Sequence, residues 1–131
     1  MKFVVDASVI IAVIANEPTK EKLIETTRGA DLLAPASIHW EIGNAFSAMI
    51  KRDRITLEQT QSAIAAYKQI PIRFTEVELE ESLEIAAAYC IFAYDAYLIR
   101  CAIKYKSALI TLDQKLAQVA EAMNVTVVEV E

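Results

Sequence analysis

Five short apolar runs, KFVV, LLA, IRFT, SALIT and VTVVEV, alternate along the chain with longer stretches whose apolar residues recur at helical spacing. Continuously apolar runs of this length suit strands covered on both faces, and strands alternating with helices of about ten to fifteen residues imply right-handed crossovers. The pattern therefore predicts an α/β fold, a three-layer α/β/α sandwich with a mainly parallel, short-stranded central sheet. Its 131 residues, 55% of them apolar, suffice for one compact domain spanning 1–131. Gly and Pro are scarce, and no low-complexity stretch or internal repeat is present.

The first strand, 2–6, ends in Asp6, and a helix is expected over 8–15. Pro18 starts a second helix that runs to Arg28 and Gly29, and a short strand covers 32–34. Over 37–52, Ile38, Ile42, Ala45, Phe46 and Met49 form a helical stripe expected to be buried. Glu41 and Asn44, three apart, project together beside it. Thr56 and Gln59 make a capping-box start for a helix reaching residue 69, and Pro71 breaks it before IRFT. Over 76–90, acidic residues lie on one side and Leu79, Leu83, Ile85 and Ala86 on the other. The next helix, from residue 94, buries Leu98, Ile99, Ala102 and Ile103 and sets Asp95 one turn above them. A strand over 107–111, a helix from Asp113 to residue 123 and a strand over 125–130 complete the chain.

Four acids stand where a run ends or a helix begins: Asp6, Glu41, Asp95 and Asp113. In a parallel sheet, ligands bind at the carboxyl edge of the strands, where strand order reverses. Asp6 and Asp113 each follow a strand directly, so both belong on that edge, and Glu41 and Asp95 arrive from helices packed against it. Taken singly, each acid has an ordinary explanation: turn former, surface residue, first-turn dipole partner, N-cap. Together they imply a cluster. Gathered carboxylates raise one another's pKa and stay ionised together when a cation joins them, and hard oxygen donors favour Mg²⁺ or Mn²⁺.

Such a cluster suits phosphodiester hydrolysis, which needs an activated water, neutralised phosphate charge and help for the leaving oxygen. A metal-free route through two histidines is closed, because His39 is the only one. His39 lies two helical positions from Glu41 and diverges from it as an exposed or boundary residue. Ser8 lacks a basic partner and is expected to support the site rather than to attack. Asn44 is placed to orient Glu41 or a bound water.

A net charge of −5 counts against a generic nucleic-acid binder, so a polyanion has to be drawn in locally. Lys51, Arg52, Arg54, Arg100, Lys104, Lys106 and Lys115 are the cations near the acidic motifs, with solvated helix ends as their bland alternative. Arg52, Arg100 and Lys115, with Tyr97, are the candidate substrate contacts. Tyr94 and Tyr97 flank Asp95 as a possible stacking pair, packing being the other role open to them. Cys90 and Cys101 read as reduced packing residues, which points to a cytoplasmic setting. Asp6 interrupts what would otherwise resemble a secretory signal, and no run approaches the roughly twenty apolar residues that span a bilayer. No membrane association is expected.

The stretches VVDASVIIA, HWEIGNA, YDAYLIRCA and LITLDQKLA, in this order and in a chain of this length, resemble the PIN-domain nucleases, most closely the short VapC-like toxins. The resemblance runs end to end and no acidic position departs from it. It implies a metal-dependent endoribonuclease, the toxin of a toxin–antitoxin pair, in which Asp6, Glu41, Asp95 and Asp113 hold Mg²⁺ or Mn²⁺ while Ser8, Asn44 and Thr111 support them. It also implies a homodimer and a cognate antitoxin that inserts a segment into the acidic groove. The rival classes fit less well. A receiver-like signalling domain expects a pair of acids after the first strand, an aspartyl phosphatase expects an aspartate where Ser8 stands, and a binding protein on the same scaffold needs no turnover.

Overall fold

The structure, a computed structural model, describes residues 1–130. In chain order the elements are β1 (Lys2–Val5), α1 (Ala7–Ile14), α2 (Lys20–Thr27), β2 (Asp31–Pro35), α3 (Ile38–Lys51), α4 (Leu57–Tyr67), β3 (Ile72–Thr75), α5 (Leu79–Tyr89), α6 (Ala93–Lys104), β4 (Ala108–Ile110), α7 (Gln114–Ala122) and β5 (Val127–Val128). The five strands form one sheet in the order β3-β2-β1-β4-β5, every pairing parallel. Phe3 registers with Leu32 on one side and with Ala108 on the other.

From β1 the chain steps outward to β2 and β3, then returns across the sheet to β4 and β5. Its direction of winding therefore reverses between β1 and β4. Right-handed crossovers put α1 to α4 on one face and α5 to α7 on the other. In keeping with this, α1 packs on α2, α3 and α4, and α6 packs on β1, β2, β4 and α5. Val4, Leu33, Ile38, Leu98, Ile99, Leu109 and Ile110 fill the interior between sheet and helices.

Several expected details differ. The α5 stripe is turned: Leu79 and Leu83 are 54% and 49% exposed, while Ser82 is fully buried beside Ile85. The Ser82 hydroxyl donates to the Glu78 carbonyl at 2.7 Å, which satisfies it inside, and its small size suits the side of α5 that packs on α6. Cys90 is exposed rather than packed, because it is the C-cap of α5 and adopts the left-handed conformation there (φ 55°). Only Cys101 is buried. In α3, Ile38, Ile42 and Phe46 are buried, and Ala45 and Met49 are only partly so. Helix α2 starts at Lys20, two residues beyond Pro18.

Candidate active site

The site is built at the reversal between β1 and β4. Asp6 leaves β1, caps α1 and is 4% exposed. Its Oδ1 accepts from the Ser8 hydroxyl at 2.7 Å and the Val9 amide at 3.2 Å, and its Oδ2 accepts from the Thr111 hydroxyl at 2.5 Å. Both hydroxyls also serve the opposite strand end. Ser8 Oγ accepts from the Leu112 amide at 3.1 Å, and Thr111 Oγ1 accepts from the Asp113 amide at 3.0 Å. Two side chains thus stitch the β1–α1 turn to the β4–α7 turn through one carboxylate.

Asp113 caps α7, its Oδ1 accepting from the amides of Lys115 and Leu116 at 3.0 and 3.2 Å. The capping explanations raised for Asp6 and Asp113 therefore hold alongside any chemistry. Glu41 lies in the first turn of α3 and Asp95 in that of α6. Since α3 and α6 cover opposite faces of the sheet, the two acids approach the edge from either side.

Electrostatics show that the four acids share one field. Burial raises the Asp6 carboxyl, the donors Ser8, Thr111 and Val9 pull it back, and Asp113 adds to the rise. Glu41 is pushed up to about 7, first by burial and then by Asp6, Asp95 and Asp113. Asp95 is raised by burial, then by Asp113 and Asp6, with Lys115 acting in the opposite sense.

Among the described residues, no three Asp, Glu, His or Cys side chains are spaced to enclose an ion between them as they stand. The cluster is open. Mg²⁺ does not require such a cage, since it keeps several waters and is commonly held by one or two carboxylates. Glu41 and Asp95 accept no side-chain or capping hydrogen bond among the described residues, and Asp113 uses only Oδ1 for its cap. An all-oxygen donor set with unused lone pairs, at a carboxylate cluster whose charges repel, fits a hard dication.

The remaining predicted residues divide. Asn44 is exposed and makes no recorded bond to Glu41. Arg100 is engaged elsewhere: its Nε meets Glu78 Oε1 at 2.9 Å, and Lys104 Nζ meets Oε2 at 2.9 Å. These cations, Lys104's hydrogen bond first, hold the Glu78 carboxyl down at about 2. Arg52 is exposed at the C-cap of α3, and Lys115 is exposed in the first turn of α7. Tyr97 meets Tyr94 edge-on at 6.3 Å and lines a shallow cleft with Pro35, Ser37, Thr75, Val77 and Leu79. Sequence reasoning missed an aromatic group at the start of α3, where His39 packs on Phe74 with ring centroids 4.3 Å apart and is followed by the exposed Trp40. The HW dipeptide directly before Glu41 was its only local signal.

The model of the PIN domain family matches residues 3–122. A VapC ribonuclease of Mycobacterium bovis and Ribonuclease VapC9 of Mycobacterium tuberculosis are each 30% identical to this chain over 121 residues, covering 91% of it and 91% of each relative. The solved structure of PAE2754 from Pyrobaculum aerophilum superposes with a TM-score of 0.74 at 21% identity, over 97% of this chain and 83% of that one. VapBC2 from Rickettsia felis, solved bound to a DNA fragment from its promoter, superposes with a TM-score of 0.68 at 13% identity, over 98% of both chains.

Proposed function

The chain belongs to the PIN-domain family, and on that premise we propose that it is a metal-dependent endoribonuclease acting as the toxin of a toxin–antitoxin pair. The observation that supports the chemistry is the elevation of Asp6, Glu41 and Asp95 at the β1/β4 reversal, first by burial and then by neighbouring acids, with Asp113 contributing to each. Ribonuclease relatives that align with nine-tenths of the chain support RNA as the substrate.

Asp6, Glu41, Asp95 and Asp113 are the residues that would hold Mg²⁺ or Mn²⁺. The ion, when bound, supplies water activation and neutralises charge on the phosphate. The chain's own groups do the rest. Ser8 and Thr111 fix Asp6 from two sides and keep it aimed at the edge. The amides of α7 fix Asp113 through Oδ1, leaving Oδ2 outside the cap. Glu41, pushed up to about 7 by burial and then by Asp6, Asp95 and Asp113, would give up its proton on holding the ion, so its carboxylate couples cation binding to pH. Lys115 brings positive charge to the rim, where an incoming phosphate would meet it. A cytoplasmic homodimer held in check by a cognate antitoxin completes the proposal. No helix among the described residues is long and apolar enough to cross a membrane.

The test is direct. Purified protein is incubated with single-stranded RNA and Mg²⁺ or Mn²⁺, beside Asp6→Asn and Asp95→Asn. Cleavage by the wild type that EDTA and either substitution abolish is expected. RNA left intact by wild type at saturating metal, or cleaved equally in EDTA, defeats the reading.

A further inference from the structure

The four acids are not fixed alike. Asp6 is held by Ser8, Thr111 and the Val9 amide, and Asp113 by the amides of α7. Glu41 accepts no side-chain or capping hydrogen bond among the described residues, and Asn44, expected to orient it, makes no recorded bond to it. Its carboxylate is therefore placed by the first turn of α3 itself, and that turn starts without a cap. Ser37, at the N-cap, makes no side-chain capping bond. The amides of His39 and Trp40 reach back only three residues, to the carbonyls of Ala36 and Ser37 at 3.4 and 3.1 Å.

Ile38 and Ile42, 0% and 1% exposed, seat α3 on the core, but apolar packing is non-directional. One side-chain contact supplies direction. The Tyr67 hydroxyl lies 2.6 Å from His39 Nδ1, and among the described residues this is the only side-chain hydrogen bond made by the first turn of α3. Burial pushes the Tyr67 phenol up to about 12, so it keeps its proton and donates, and Nδ1 accepts. Tyr67 is a firm anchor. It is the last residue of α4, it is buried, and its ring meets His39 and Phe74 edge-on at 5.5 and 6.5 Å. Phe74 of β3 packs on the same imidazole with centroids 4.3 Å apart. The imidazole is thus gripped from α4 and from β3, two residues before Glu41.

We propose that Tyr67 and His39 are positioning residues for the metal site: their hydrogen bond locks the first turn of α3 and so sets where Glu41 meets the cation. His39 diverges from Glu41 and acts on it through the backbone of the turn they share. This rests on the metal-dependent ribonuclease reading above and deepens it. Partners that orient a metal ligand without touching the ion typically cost about 10–100-fold in affinity or activity when removed, and a clamp acting through a helical turn belongs at the lower end of that range.

Tyr67→Phe removes the donor and keeps the ring. His39→Ala removes the acceptor at an exposed position, so it leaves the core intact and tests the same bond from the other side. His39→Asn sets an amide oxygen close to where Nδ1 stood and keeps an acceptor. Thr56→Ala, which breaks the capping box at the far end of α4, is the control for a helix weakened without loss of the clamp. Metal-stripped protein is titrated with Mn²⁺ in the absence of RNA, the free ion being followed by electron paramagnetic resonance, and kcat and KM are then measured on single-stranded RNA. Tyr67→Phe and His39→Ala should each weaken Mn²⁺ binding and lower kcat about tenfold, with KM for RNA unmoved. The double variant should be no weaker than either single one, because both break one bond. His39→Asn should stay near wild type. Thr56→Ala should lower the melting temperature and leave Mn²⁺ affinity and kcat unchanged.

Mn²⁺ affinity and kcat that survive Tyr67→Phe and His39→Ala overturn the clamp and spare the ribonuclease reading. So does a loss that Thr56→Ala reproduces in full, which would make Tyr67 a purely structural residue, or a loss confined to KM, which would make His39 a substrate contact. Wild type that binds Mn²⁺ in a Tyr67-dependent manner but leaves RNA intact upholds the clamp and defeats the choice of substrate. Wild type that neither binds Mn²⁺ nor cuts RNA overturns both.

Discussion

Thr111 shows how much of the site rests on one hydroxyl. It donates to Asp6 and accepts from the Asp113 amide, so Thr111→Val leaves a carboxylate short of a donor and an amide without its acceptor. Each loss costs about 1–3 kcal/mol when buried. Thr111→Val should therefore lower stability by that order in urea unfolding, whereas Thr111→Ser, which keeps the hydroxyl, should stay near wild type. Equal stability of the two variants would show that the bridge matters little. Asp95→Asn has the opposite expectation. Burial and two like charges penalise the ionised Asp95, and no recorded hydrogen bond depends on it, so removing the charge should leave the melting temperature in EDTA unchanged or higher. A sharp fall would make Asp95 structural. The four acids were legible in the sequence because each ends an apolar run or opens a helix. Ser8 was legible too, although its role as acceptor for the Leu112 amide was not, since that pairing joins residues 104 apart. The bond between Arg100 and Glu78, 22 residues apart, is of the same kind: nothing local marks which cations will be consumed by partners.

Among the elements, α5 separates pattern from packing most clearly. Spacing alone groups Leu79, Leu83, Ile85 and Ala86 as one apolar side, yet the buried positions are Ser82 and Ile85. Hydropathy ranks a serine as polar, but a serine that returns its hydroxyl to the Glu78 carbonyl is satisfied wherever it lies, and its volume suits a close helix contact. Ser82→Leu should therefore overpack the side of α5 that meets α6 and cost about 1–3 kcal/mol or more. Leu83→Ser, a nominally harsher change, should shift stability by less than about 1 kcal/mol because Leu83 already faces solvent. Paired urea melts decide it, and the reverse ranking would mean that α5 is rotated from the orientation described. Where capping chemistry is local, sequence and structure agree in full: Thr56 and Gln59 exchange the two hydrogen bonds of a capping box. The short strands agree less well at their ends. The run over 125–130 contributes only Val127–Val128, since pairing stops where β4 ends after three residues.

For the molecule as a whole, alternation of strands and helices revealed the layers and the parallel pairing, because crossover handedness leaves few alternatives. Strand order was not legible. It depends on which long crossover returns the chain from β3 to β4, and that is fixed by burial across the sheet rather than by any local residue. The order matters because it brings two strand-end acids together, and stability should then depend on pH in an unusual direction. Glu41 keeps its proton to about 7 in the fold but has a value of 4.5 when unperturbed. Between those values the fold binds more protons than the unfolded chain, so stability falls as pH rises through the window and the loss is complete above about 7. Asp6 and Asp95 are raised too and act in the same sense. With partial solvent screening, Glu41 alone contributes about 1–2 kcal/mol. In EDTA the melting temperature should therefore rise as pH is lowered from 7.5 towards 5. Mg²⁺ or Mn²⁺ reverses the trend, because a cation binds only ionised ligands and must displace the Glu41 proton. The stabilisation it gives should be large at pH 7.5 and small at 5, and Glu41→Gln should flatten the EDTA profile across the window. A melting temperature that rises with pH in EDTA, or a metal-induced increment independent of pH, would mean that the four acids do not share one field at the sheet edge.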